Sequence, residues 1–259
     1  MPVIHSDGCP LHVEIEGAES APVLMFSNSL GVDLSMWEPQ IATFSRHFRV
    51  VRYDRRGHGR SGVTPGPYTM EQLARDDLAI MDRLGLERVN FCGISMGGMV
   101  GQWLGAFAPE RLNRLVLANT SCYYPDKTPW NDRIKTVREK GVNAVADMVL
   151  GVWFTKEFHA REPDTIARFR RMLVSTPVEG YVSCGAAVRD MDHRDILAKI
   201  TMPTFIIAGR HDGSTTVEAA EFIRGRVPGA QMTILDAAHI SNVEQATAFT
   251  TEVLGFLTA

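Results

Sequence analysis

With 259 residues, 45% of them apolar and 22% charged, the chain has material for one large α/β domain, or for one domain carrying an insertion. A net charge of −3 gives no basic surface for nucleic acid or an anionic membrane, so an acidic small molecule would need a local cation. No apolar run approaches the roughly 20 residues of a membrane span.

Met1 to Asp7 lacks a basic patch followed by a long apolar core, so no signal peptide is expected. Cys9, Cys92, Cys122 and Cys184 have no metal-type spacing, and Cys92 falls in an expected central strand. They read as reduced structural thiols of a cytoplasmic protein with no metal site.

In chain order, His12 to Glu16 and Pro22 to Ser27 read as short strands. Trp37 to Phe44 reads as a helix and Phe48 to Tyr53 as a buried strand. Asp54 to Ser61 is polar and turn-rich; within it His58 and Asp54 are expected to hold a glycine turn together. Thr69 to Leu84 has helical spacing, with Met70, Leu73, Leu78, Met81 and Leu84 on one broad face and acids near its start.

Arg88 to Cys92 is apolar and leads into Gly93-Ile94-Ser95-Met96-Gly97, which matches G-x-S-x-G. A helix-like segment from Met99 to Ala108 follows. In that setting the motif describes a strand turning sharply into a helix with a serine at its apex. The turn exposes the Ser95 hydroxyl at the end of the sheet, beside helix N–H groups able to stabilise an oxyanion. Asn113 to Ala118 is a further buried strand, and the alternation so far implies a parallel sheet covered by helices on both faces.

The alternation stops at Thr120. Up to Ile196 the chain offers helical segments near Trp130 to Lys140, Val142 to Phe154 and Pro163 to Leu173, with little strand signal. It resumes with a strand at Thr204 to Gly209, a helix at Val217 to Val227, a strand at Gln231 to Leu235 and a helix at Asn242 to Leu257. The expected organisation is a core of residues 1–120 and 197–259, with an all-helical cap of residues 121–196 inserted between two strands.

A serine hydroxyl needs an adjacent base, and the base an orienting acid. Of eight histidines, His239 lies directly after an expected strand, on the carboxyl edge where the Ser95 turn also lies. Asp212 follows the strand ending at Gly209 on that same edge, and the alternative reading makes it a turn former before Gly213. The order Ser95, Asp212, His239 is the serine–acid–histidine order of α/β-hydrolases. His211 adjoins Asp212 and cannot also bridge it to Ser95. The oxyanion donors expected are the backbone N–H groups of Leu30 and Met96, with Ser29 as a side-chain alternative.

These features together resemble the α/β-hydrolase superfamily along essentially the whole chain. Within it, Asn28-Ser29-Leu30-Gly31, Met36-Trp37-Glu38-Pro39-Gln40, Tyr53 to Ser61, Phe91 to Gly98 and His239-Ile240-Ser241-Asn242-Val243-Glu244-Gln245 are similar to the 3-oxoadipate enol-lactonase family. So are Glu179-Gly180-Tyr181 and Cys184. Asn28 stands where many hydrolases carry histidine. The resemblance implies an enzyme of the β-ketoadipate pathway of aromatic breakdown, which opens the enol-lactone of 3-oxoadipate with water and needs no cofactor or metal.

Such a substrate carries a free carboxylate, for which Arg133 is the candidate partner, with Trp130, Trp153 and Tyr124 as candidate pocket walls. An exposed Arg133 and plain core packing of the aromatics are the alternatives. Other hydrolases with the same triad (a carboxylesterase, a perhydrolase-like enzyme, a carbon–carbon bond hydrolase) and a non-catalytic binding protein of the same fold stay open. Ser95 in place of aspartate speaks against a haloalkane dehalogenase. A small anionic lactone is the expected partner, with no nucleic acid or membrane, and the sequence leaves room for a homo-oligomer.

Overall fold

A computed structural model describes residues 4–259. Its centre is a seven-stranded sheet in the order β3-β5-β4-β6-β7-β8-β9. These strands are β3 (Val13–Glu16), β4 (Val23–Ser27), β5 (Arg49–Tyr53), β6 (Val89–Ile94), β7 (Leu112–Ala118), β8 (Thr204–Gly209) and β9 (Gln231–Leu235). All neighbouring pairs are parallel except β3 with β5. The inner strands β6 and β8 are buried along their whole length, as continuous apolar runs in a sheet covered on both faces must be.

Ahead of this sheet lies a two-stranded hairpin, β1 (Ile4–Ser6) and β2 (Cys9–Leu11), which the strand reading of the sequence missed. Its turn residues Asp7 and Gly8 both have positive φ, the geometry that closes two-residue hairpins. Pro10 is tolerated because these strands pair only with each other.

The helices between strands are α1 (Glu38–Phe44), α2 (Met70–Arg83), α3 (Met96–Phe107), α9 (Val217–Arg224), α10 (Ser241–Glu244) and α11 (Ala246–Thr258). The oxygen of Thr69 caps α2 by accepting from the Gln72 N–H at 3.1 Å, and Thr216 caps α9 in the same way. The single helix expected at Asn242 to Leu257 is two, because Gln245 leaves helical geometry between α10 and α11.

Between β7 and β8 stand five helices: α4 (Thr128–Lys140), α5 (Ala146–Trp153), α6 (Lys156–Arg161), α7 (Pro163–Ser175) and α8 (Val178–Asp190). The expected Val142 to Phe154 helix begins instead as a separate 3₁₀ turn, Val142–Val145, after Gly141 ends α4 at φ 79°. The sequence reading missed α6 and α8. The latter packs against the loop after β5 through Gly57 and Gly180, which meet backbone to backbone. A Cβ on Gly57 would overlap the Gly180 Cα. The Tyr68 N–H adds a bond to the Ser183 carbonyl at 3.3 Å, and the Gly66 N–H one to Glu179 Oε1 at 3.1 Å.

Candidate active site

Ser95 stands between β6 and α3 with φ 57° and ψ −117°, a conformation L-residues seldom adopt. Two glycines make the turn feasible. A Cβ on Gly93 would overlap the Gly97 carbonyl, and one on Gly97 would overlap the Ser27 carbonyl. The strained backbone is held at both ends. The Ser95 N–H donates to the Ala118 carbonyl at 2.9 Å, while the Ser95 carbonyl accepts from the Met99 N–H at 3.0 Å and the Thr120 hydroxyl at 2.7 Å. The side-chain hydroxyl makes no hydrogen bond to a described residue and lies on the wall of a cavity, as does His239.

His239 follows β9 and is 4% exposed. Its Nδ1 is 2.7 Å from Asp212 Oδ2, which lies in the loop after β8. Asp212 collects further donors: the N–H groups of Ser214 and Thr215 on Oδ1, each at 2.9 Å, and the Thr215 hydroxyl on Oδ2 at 2.6 Å. Burial alone would raise the Asp212 pKa, but the His239 ring and the Thr215 bonds outweigh it and pull it to about 2. The carboxylate is therefore ionised near neutrality and accepts from Nδ1–H of His239, which leaves Nε2 as the ring's acceptor. His211 is not part of this pair; its ring bonds Asp236 on the surface at 2.9 Å instead.

Asn119, the last residue before Thr120, joins the two loops. Its amide donates to Asp212 Oδ2 at 3.2 Å and to the Ala238 carbonyl at 3.0 Å, while its oxygen accepts from the Ser241 hydroxyl at 2.5 Å. The sequence reading missed this residue. Its one local signal is the position directly after a buried strand on the carboxyl edge.

Leu30 and Ser29 also line the cavity. The N–H groups of Leu30 and Met96 donate to no described acceptor; Leu30 lines the cavity, whereas Met96 is buried beside Ser95 and is not among the lining residues. The loop bearing Leu30 is rigidly supported from below. Asn28 receives the Trp37 indole N–H at 2.8 Å, donates to the Tyr53 carbonyl at 2.9 Å and accepts from Arg55 on its own carbonyl at 2.7 Å. Buried His58 accepts the Gly31 N–H on Nε2 at 3.0 Å. Burial, reinforced by the charge of Arg55, pulls its pKa to about 3, so it is the neutral acceptor this bond requires. Asp54 takes the Leu34 N–H at 2.8 Å and the Arg60 N–H at 2.8 Å, completing the glycine turn read from the sequence.

The rest of the lining comes mainly from the segment between β7 and β8. Tyr124, Trp130, Arg133 and Trp153 all belong to it, joined by Val149 and Val152 of α5. Arg133 is half-buried rather than exposed. Its Nε donates to the Tyr181 hydroxyl at 2.6 Å, and the guanidinium lies 4.8 Å from the Trp130 ring centre and 5.3 Å from that of Tyr181. Burial holds the Tyr181 phenol above its ordinary range despite the pull of Arg133, so the phenol stays neutral and leaves the guanidinium its full charge. Among the described residues Arg133 is the cavity's one Lys or Arg and pairs with no carboxylate. A second cleft shares Tyr124, Trp130, Arg133, Val152 and Ser214 with this cavity and opens past Met148 to the surface.

The family model for the alpha/beta hydrolase fold matches residues 22–246. 3-Oxoadipate enol-lactonase 2 of Acinetobacter baylyi is 40% identical over 255 residues, covering 96% of each chain. Enol-lactonase 1 of the same organism is 38% identical, covering 98% of this chain and 96% of its own. The crystal structure of the enol-lactonase from Burkholderia xenovorans LB400 superposes with a TM-score of 0.98 at 44% identity over the whole of both chains. A hydrolase from Pseudomonas aeruginosa gives 0.96 at 44%, covering 99% of this chain and 97% of that one.

Proposed function

The chain belongs to the α/β-hydrolase family, and we propose that it hydrolyses the enol-lactone of 3-oxoadipate to 3-oxoadipate through an acyl-enzyme on Ser95. What supports this reading is one cavity whose lining holds Ser95, His239 and a guanidinium without a carboxylate partner. A small lactone with a free carboxylate would bring a carbonyl to Ser95 and an anion to Arg133.

The proposed steps begin at Ser95. His239 Nε2 takes the hydroxyl proton as Ser95 Oγ bonds to the lactone carbonyl carbon, and Asp212 stabilises the imidazolium. The oxygen that gains charge is received by the N–H groups of Leu30 and Met96, a contribution of about 3 kcal/mol per donor in comparable sites. Collapse breaks the ring C–O bond. The departing oxygen is an enolate, which takes the proton and becomes a ketone while staying tethered through the acyl chain. Water, deprotonated by His239, then attacks the ester carbon, releasing the second carboxylate and restoring the Ser95 hydroxyl. Arg133 holds the pre-existing carboxylate throughout, and Trp130, Trp153 and Tyr124 keep bulk water from the pair.

Product analysis tests the proposal directly. Purified protein incubated with the enol-lactone should yield 3-oxoadipate with a kcat/KM well above that for neutral p-nitrophenyl esters. Short neutral esters turning over far better would overturn the substrate assignment.

A further inference from the structure

Glu244 lies at the end of α10, five residues beyond His239, and is 7% exposed. Its carboxylate makes no ion pair among the described residues and is compensated by donors from two separate parts of the chain. Oε2 accepts the Ala238 N–H at 2.8 Å, from the residue just before His239. Oε1 accepts the Thr155 N–H at 3.2 Å and also the Thr155 hydroxyl. Thr155 in turn caps α6, its oxygen accepting the Phe158 N–H at 3.2 Å. On the other side of His239, the Ile240 N–H donates to the Trp153 carbonyl at 3.0 Å. The backbone is therefore tied to residues 153–155 immediately before and after His239, while the imidazole is tied to Asp212.

We infer that Glu244 is a positioning residue, which fixes the His239 loop against the segment joining α5 to α6 and so sets where the imidazole stands relative to Ser95. The inference rests on the proposed role of His239 as base. A carboxylate suits the place because it only accepts, and every group facing it is a donor. Glutamine has nearly the same shape but brings an amide that can face only one set of donors without opposing N–H to N–H. The loop would shift to relieve that opposition, and a displacement of about 1 Å at a reacting group costs about 100-fold in rate.

Glu244→Gln, Thr155→Val and His239→Ala should be measured for kcat and KM on the enol-lactone, for labelling of Ser95 by a fluorophosphonate probe, and for thermal unfolding. Glu244→Gln should lower kcat and the labelling rate together by about 10- to 100-fold with KM within about twofold. Thr155→Val keeps the Ala238 bond and should lose less, and the double variant should be no slower than Glu244→Gln alone. A folded Glu244→Gln with both rates within about twofold of wild type overturns the inference. So does a loss that only tracks the folded fraction. If Glu244→Gln does not fold, an unchanged labelling rate in Thr155→Val overturns it. His239→Ala separates the two levels: full activity there removes the base assignment itself, whereas an inactive His239→Ala beside an active Glu244→Gln removes only the role of Glu244.

Discussion

Asp212 Oδ2 lies 2.7 Å from His239 Nδ1 and takes the Thr215 hydroxyl at 2.6 Å on the same oxygen, so the acid is held by its own loop as well as by its partner. An anion so placed can stabilise an imidazolium without moving, because its donors are already arranged.

Ser95→Ala and His239→Ala should each lower kcat by about four to six orders of magnitude with circular dichroism unchanged, since either loss disables the proposed nucleophile–base pair. Asp212→Asn should cost about 10³- to 10⁴-fold, because the amide favours the wrong tautomer of His239. Steady-state rates on the enol-lactone decide this; a triple variant no slower than Ser95→Ala would mark the three as one unit.

Arg133→Gln should raise KM for the anionic lactone about tenfold or more, equivalent to about 1.4 kcal/mol or more, and leave a neutral ester within about twofold. The two substrates compared on one preparation give the answer. Equal changes on both would assign Arg133 to wall packing with Trp130 and Tyr181.

His58 and Asp77 should give opposite pH dependences of stability. Burial lowers the folded His58 pKa from 6.5 to about 3. Between those values the unfolded chain holds the extra proton, so stability falls as pH falls, by at most about 1.4 kcal/mol per pH unit. Burial raises the folded Asp77 pKa from 3.8 to about 7, against the pull of Arg55. There the folded chain holds the extra proton, and its contribution is lost as pH rises toward 7. The two nearly cancel in wild type. Relative to it, Asp77→Asn should unfold more easily toward pH 4 and His58→Gln more easily toward pH 7, as read by urea midpoints. Shifts of the same sign would refute this balance.

Gly180→Ala should destabilise by about 2 to 4 kcal/mol, seen as a lower denaturant midpoint, because its Cβ would overlap the Gly57 carbonyl and backbone on both sides must give way. Gly151→Ala, where a Cβ meets nothing within 4 Å, is the control and should be neutral or slightly stabilising.

Much of this was legible in the chain because parallel strands bury both faces and end on one edge. Apolar-rich runs marked β5, β6, β7 and β8, and the residues following them had to converge. Helix α8 escaped because residues from Gly180 to Val188 are buried on every side, leaving no amphipathic period to read, and Gly180 and Gly185 lower its helical propensity. The β1–β2 turn was announced by Asp7-Gly8, but strands of three residues give too short a pattern. Asn119 and Glu244 act across 93 and 89 residues of chain, and the partners in such contacts cannot be read from local sequence. Arg133 was found by its chemistry alone; its hold on Tyr181 depends on how α4 meets α8.

The crossing of Gly57 and Gly180 has a bearing on what length of ligand fits. Tyr181 is the next residue along α8, and the guanidinium grips its hydroxyl, so wherever Gly180 rests the cation follows. Main chain abutting main chain leaves no side chain there to swell, shrink or rotate over generations of substitution. In the proposed mechanism the span from the Arg133 cation to the Ser95 hydroxyl is thereby gauged by peptide geometry, like a caliper set once.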